Sequence, residues 1–227
     1  MAAGHLAVVV AGLVFAVLGW RTALELQTRG YRIPQDTPTG LPRSSWWAAP
    51  VAGVAAAYLT WRVGGIAGWA ALPAYLVLAW LAVPLVWIDR DVHRIPVGLV
   101  RPAGITVAVL LILASWADGT GRWRLALAGA VVSYLGHLAL WALPGGMGYG
   151  DVRLAPVLAA LLGWLGLGEL AVGIAAGFLV GGVQALVLLV TGRARAKSAM
   201  AFGPAMLTGT IIGVGETSRI ATWLLGG

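Results

Sequence analysis

The chain has 227 residues, of which 60% are hydrophobic and 10% charged, with a mean hydropathy of +0.89 and a formal charge of +7. Soluble domains carry ~25% charged residues, so this composition excludes an ordinary soluble domain and predicts an all-α integral membrane protein. Absence of cysteine excludes disulfides, thiolate chemistry and cysteine-ligated metals. His5, His93 and His137 are scattered without ligand spacing, so neither a metal nor a cofactor is expected.

A bilayer core needs about 20 apolar helical residues. Eight segments qualify or nearly so, roughly 4–24, 48–64, 66–88, 98–116, 123–144, 152–167, 169–191 and 201–225. The first has no basic residue before it and is followed by basic residues instead of a small-residue cleavage site, so it reads as a retained span and not a signal peptide. The second and sixth are short. Pro73, Pro84, Pro156 and Pro204 fall inside the apolar segments, which membrane helices tolerate. Gly173, Gly177 and Gly181 recur at i, i+4 and i+8, so they share one face and predict close helix packing. His137 and Gln184 read as polar packing residues within spans. One polytopic domain over 1–227 is expected, with a first cytoplasmic loop at about 25–47.

The loops set orientation. Arg21, Arg29, Arg32, Arg43, Arg90, Arg94, Arg101, Arg153, Arg193, Arg195 and Lys197 flank the odd-numbered connections, against Arg62, Arg122, Arg124 and Arg219 elsewhere. The positive-inside rule then places the odd loops in the cytoplasm and both termini outside. The positive charge is thereby accounted for by the membrane, and no nucleic-acid partner is expected.

Of the eight acids, Glu25 and Asp36 lie in the first polar loop and call for no special role, Asp118 lies in a short turn, and Glu169 and Glu216 lie near span ends. Asp89 and Asp91 follow the third span, and Asp151 precedes the sixth, closing the glycine-rich stretch Gly145-Gly146-Met147-Gly148-Tyr149-Gly150-Asp151. Charge counting puts all three at the cytoplasmic membrane boundary. Two carboxylates sharing a site keep one proton between them, which supplies a general base for water and a general acid for a leaving amine. The alternatives are a solvated helix-end acid at Asp89 and a helix cap at Asp151.

Gly148-Tyr149-Gly150-Asp151 resembles the Gly-x-Gly-Asp motif of membrane aspartyl proteases. The longer stretch through Val152-Arg153-Leu154 is similar to the type IV prepilin peptidases. In that family the second acid sits in an Ile-Asp segment seven residues before a proline; Ile88-Asp89 precedes Pro96 by that offset, which selects Asp89 over Asp91. Ala201-Phe202-Gly203-Pro204 is similar to the family's Phe-Gly-Pro segment. The three motifs follow the family's order over 88–206, and eight spans agree with its architecture.

The resemblance implies an intramembrane aspartyl endopeptidase of the cytoplasmic membrane. Its substrates would be type IV pilin-like precursors, whose basic leader it would remove at the cytoplasmic face through Asp89 and Asp151. Gly148 and Gly150 would let the loop pass close to the substrate. Gly203 and Pro204, with Phe202, would interrupt the last helix and support the substrate. The chain departs from the family at Val97, where Asn or Asp is usual, and at Arg153, where Lys is commoner. The first loop also lacks the Cys-x-x-Cys pairs of long members, which weighs against N-methyltransferase activity; Gly40-Leu41-Pro42-Arg43 reads as the remnant of that loop. The competing readings are a presenilin-like protease of broader specificity, whose usual Tyr-Asp motif is absent, a proton-coupled transporter, which would want midplane acids, and a noncatalytic scaffold for pilus assembly.

Overall fold

The computed structural model describes residues 2–38, 44–143, 147–192 and 201–225. Residues 40–43 and 144–146, and the basic run Arg193, Arg195 and Lys197, lie outside the described residues. Each apolar segment becomes one α-helix, and the described residues contain no strand. The helices are α1 (Ala2–Gln27), α2 (Ala48–Ile66), α3 (Leu72–Val92), α4 (Val97–Asp118), α5 (Trp123–Trp141), α6 (Tyr149–Leu165), α7 (Leu167–Val190) and α8 (Gly203–Leu225). Among the described residues, α1, α3, α4, α5 and α7 are long and apolar enough to cross a membrane, and Gly203–Gly215 is a shorter apolar stretch.

Three of the boundaries that differ from expectation bear on the motif residues. Helix α3 continues through Asp89 and Asp91, so both acids are helical instead of following the span. It ends only at His93, which adopts the left-handed conformation (φ 49°) and donates its N–H to the Asp89 carbonyl at 2.9 Å. Helix α6 starts at Tyr149, which draws Asp151 into its first turn. Helix α8 starts at Gly203, so Pro204 opens the helix instead of interrupting it; proline has no N–H to lose in a first turn.

Two compact units divide the chain, Met1–Gly119 with α1–α4 and Thr120–Gly227 with α5–α8. In the first, α2 packs on α1 and α3, and α3 packs on α4 and α1. The α1–α2 seam is made of small residues: a Cβ added to Gly19 would fall 2.6 Å from the Ala52 Cβ and 2.7 Å from the Ala48 carbonyl oxygen. Helix α3 supplies much of the core through Tyr75, Leu78, Leu81, Leu85 and Trp87, and Trp87 stacks on Trp47 at 5.8 Å.

In the second unit α6 packs on α5, α7 and α8, and α7 lies along α8. The glycine face of α7 is a packing face, as its spacing predicts. A Cβ on Gly213 of α8 would fall 2.8 Å from the Gly173 Cα and 2.7 Å from the Glu169 carbonyl oxygen, while Gly181 leaves room for the Phe202 ring. Outward faces remain apolar, with Leu13, Val17, Ile105, Ile112, Leu179 and Val190 exposed. Exposed Trp46, Trp69, Trp116, Trp123 and Trp141 lie at or near helix ends, as interfacial tryptophans do.

Candidate active site

Asp89 belongs to the first unit and Asp151 to the second. Asp89 lies in the last turn of α3 and is 4% exposed, and its helix neighbours Trp87, Ile88 and Val92 belong to a buried apolar cluster with Val83 and Ala23. The seven-residue offset to Pro96 has a structural basis. One helical turn carries the chain from Asp89 to the left-handed His93, Ile95 is kept extended by the following proline, and Pro96 is the N-cap of α4, its carbonyl accepting from Leu99 and Val100.

Asp91 has a different role. It is fully buried, and Arg32 holds it in a bidentate pair, Nε to Oδ2 and an amino nitrogen to Oδ1, both at 2.8 Å. The Tyr31 hydroxyl donates to Oδ2 at 2.6 Å. Burial pushes the Tyr31 phenol above its ordinary value, and its bond to Asp91 acts in the same direction.

Asp36, expected to be an ordinary loop acid, is a second anchor. Arg94 donates to both of its carboxylate oxygens at 2.9 Å, the Ile33 N–H donates to Oδ2 at 2.9 Å, and Arg94 also reaches the Tyr31 carbonyl at 3.0 Å. These bonds, those from Arg94 first, hold the Asp36 carboxyl below the usual carboxylate range against the opposing effect of burial. The polar segment after α1 is therefore fastened to the end of α3 by two Arg–carboxylate forks. Sequence offered no signal for either, since the partners are 58 to 60 residues apart.

Asp151 is 6% exposed and sits in the first turn of α6, where its N–H donates to the Gly148 carbonyl at 3.0 Å. The N-cap is Gly148, so Asp151 is not the capping residue; it lies where the helix dipole favours an anion. Gly148 has φ −66° and ψ 144°, and neither it nor Gly150 has positive φ. What Gly148 supplies is space: a Cβ there would stand 3.3 Å from Asp151 Oδ2. Arg153 projects back over the Tyr149 ring at 4.4 Å, and that ring packs on Trp141 at 5.2 Å.

Phe202, Gly203 and Pro204 form the entry to α8. Phe202 packs on Phe178 at 5.6 Å, and Phe178 stacks on buried His137, also at 5.6 Å. Nδ1 of His137 is 2.8 Å from the Ser133 carbonyl one turn back. A cavity of about 30 Å³, room for a water, is lined here by His137, Ser133, Thr210, Ala155 and Phe202. Gln184 donates to the Ala201 carbonyl at 3.3 Å, a packing role as expected. Among the described residues no cluster of three or more His, Asp and Glu could hold a metal.

Long apolar helices with lipid-compatible outer faces make this a multi-pass membrane protein. A sequence profile of the type IV leader peptidase family matches residues 76–214, which include Asp89, Asp91 and Asp151, and the chain belongs to that family. It is 33% identical over 164 residues to a prepilin leader peptidase/N-methyltransferase of Stutzerimonas stutzeri, covering 67% of this chain and 51% of that protein. It is 31% identical over 170 residues to the protein of the same description in Aeromonas hydrophila, covering 70% and 54%. The chain thus spans about half the length of the curated relatives it matches. No solved structure matches it.

Proposed function

We propose that this chain is an aspartyl endopeptidase that removes the basic leader of type IV pilin-like precursors, with Asp89 and Asp151 as the catalytic pair. The observation that carries this reading is the contrast among the three acids of the family-matched region. All three are buried at helix ends, but Asp89 and Asp151 carry the Ile-Asp and Gly-x-Gly-Asp patterns, whereas Asp91 carries neither and is bound by Arg32 and Tyr31. A carboxylate is costly to bury, and such positions favour a functional acid over a solvated one.

In the proposed reaction the pair shares one proton and holds a water. The ionised member takes a proton from that water as its oxygen attacks the scissile carbonyl. The protonated member hydrogen-bonds the carbonyl oxygen, and the amine leaves protonated. Gly148 keeps the Asp151 carboxylate unobstructed, Gly150 lies in the same active-site loop, and Phe202, Gly203 and Pro204 support the substrate. The chain acts as one polytopic domain over 1–227 in the cytoplasmic membrane. It crosses eight times with both termini outside, its site faces the cytoplasm, and it uses no metal or cofactor. The α1–α2 connection carries no Cys-x-x-Cys pair, so the proposal does not include methyl transfer.

Coexpression with a prepilin precursor, read as a mobility shift on a gel, tests the reading. Asp89→Asn and Asp151→Asn keep shape and remove charge, and each should lower cleavage by about 10³-fold. Full cleavage by either variant overturns the assignment.

A further inference from the structure

The first unit contains a cleft of about 450 Å³ that the proposed chemistry does not use. The end of α1 forms one wall through Thr22 and Glu25, and α3 forms the other through Trp80, Pro84 and Ile88, with Tyr31 closing one side. Ile88, which lines the cleft, and Asp89 share one turn of α3. The Arg32–Asp91–Tyr31 fork fixes the Tyr31 wall in place.

Glu25 is placed against its own helix. It lies in the last turn of α1, which contains no basic residue, and an anion at a helix C-terminus is unfavourable. Its backbone carbonyl accepts from the N–H and hydroxyl of Thr28, at 3.1 and 2.7 Å. Its carboxylate makes no hydrogen bond or ion pair with the described residues, although Arg21 and Arg29 stand four positions away on either side. Two other acids at this end, Asp36 and Asp91, are engaged by Arg94 and Arg32. Glu25 is an exposed acid beside a cleft, with no partner among the described residues, and is therefore available to a cationic ligand. Its carboxylate and the C-terminal end of the α1 dipole give the cleft a negative wall on an otherwise basic face.

We propose that this cleft receives the cationic segment of the peptide substrate, with Glu25 pairing one lysine or arginine side chain and the apolar wall of α3 taking its methylene stem. The proposal rests on the peptidase reading, and it names what selects the substrate.

The test compares wild type, Glu25→Gln and Glu25→Lys on a precursor with a lysine-containing leader and on the same precursor with that lysine replaced by glutamate. On the lysine leader, Glu25→Gln should raise KM about three- to fivefold and Glu25→Lys about tenfold, with the change confined to KM. Glu25→Lys should cleave the glutamate leader with a lower KM than wild type does. Thermal stability of Glu25→Gln should equal or exceed that of wild type, because an unfavourable helix-end charge is removed. Equal KM values across the three proteins, or a loss that the swapped leader does not recover, overturn the proposal. A second arm measures binding of a fluorescent lysine-containing leader peptide to the Asp89→Asn protein with and without Glu25→Lys. If wild type cleaves nothing, the peptidase reading fails; binding that Glu25→Lys weakens still supports the cleft, and binding it leaves unchanged overturns it.

Discussion

The two units keep their acids at opposite ends of a helix. Asp89 occupies the last turn of α3, where the helix dipole opposes a negative charge, and Asp151 occupies the first turn of α6, where the dipole favours one. Their surroundings differ accordingly. The first unit meets its acid-rich helix end with guanidinium groups: Arg90 lies in the last turn of α3, Arg32 takes Asp91, and Arg94 takes Asp36. In the second, Gly148 leaves space at the carboxylate, which lies in the first turn of α6 beside the helix N–H groups. The first should therefore be sensitive to lost side-chain charge, and the second to added side-chain volume.

The largest difference is expected from Asp91→Asn. It breaks the fork with Arg32 and leaves a guanidinium facing a neutral amide at a fully buried position, which should destabilise the first unit by about 2 kcal/mol. Thermal unfolding in detergent measures this. Cleavage per folded molecule should be retained, because the proposed catalytic acid is Asp89; an Asp91→Asn protein that is stable yet inactive would reverse the choice of acid.

Gly148→Ala probes the other unit. The glycine's φ and ψ are ordinary for alanine, so stability should change by under about 0.5 kcal/mol. The new Cβ would sit 3.3 Å from Asp151 Oδ2 and push the carboxylate by a few tenths of an ångström. A shift of that kind at a catalytic group should cost about tenfold in kcat. Unchanged kcat would mean that Asp151 is not positioned through this contact.

Much of this architecture was legible in the chain. Runs of apolar residues marked all eight helices, and the i, i+4, i+8 glycines of α7 marked a seam that the structure contains. The equivalent seam at Gly12, Ala16 and Gly19 of α1 was missed, because alanine and glycine are so frequent there that no stripe stands out. The apolar pattern stops at the first charge, at Asp89, Asp91 and Asp151, whereas backbone hydrogen bonding continues to the next cap, here His93 or Gly148. For Asp91, sequence supplied a reason to pass it over, the Pro96 offset, but not its role. The forks at Asp91 and Asp36 and the cleft at Glu25 are tertiary, and no spacing encodes them.

The smallest effect is a pH dependence in the first unit. Asp36 titrates below the usual carboxylate range because Arg94 stabilises its charged form. A depressed acid contributes stability that is fully present above the unfolded value near 4 and lost as pH falls through the lower folded value. The Asp36–Arg94 fork should therefore be constant from pH 8 to about 5 and open only below about pH 4. Hydrogen exchange of residues 28–38, corrected for intrinsic rates, should rise about fivefold between pH 6 and pH 3, a change near 1 kcal/mol. Asp36→Asn should exchange faster at pH 6 and lose this pH dependence. An Asp36→Asn protein with wild-type exchange at pH 6 would show that the Arg32–Asp91 fork alone fastens the loop, leaving the first unit one charge anchor instead of two.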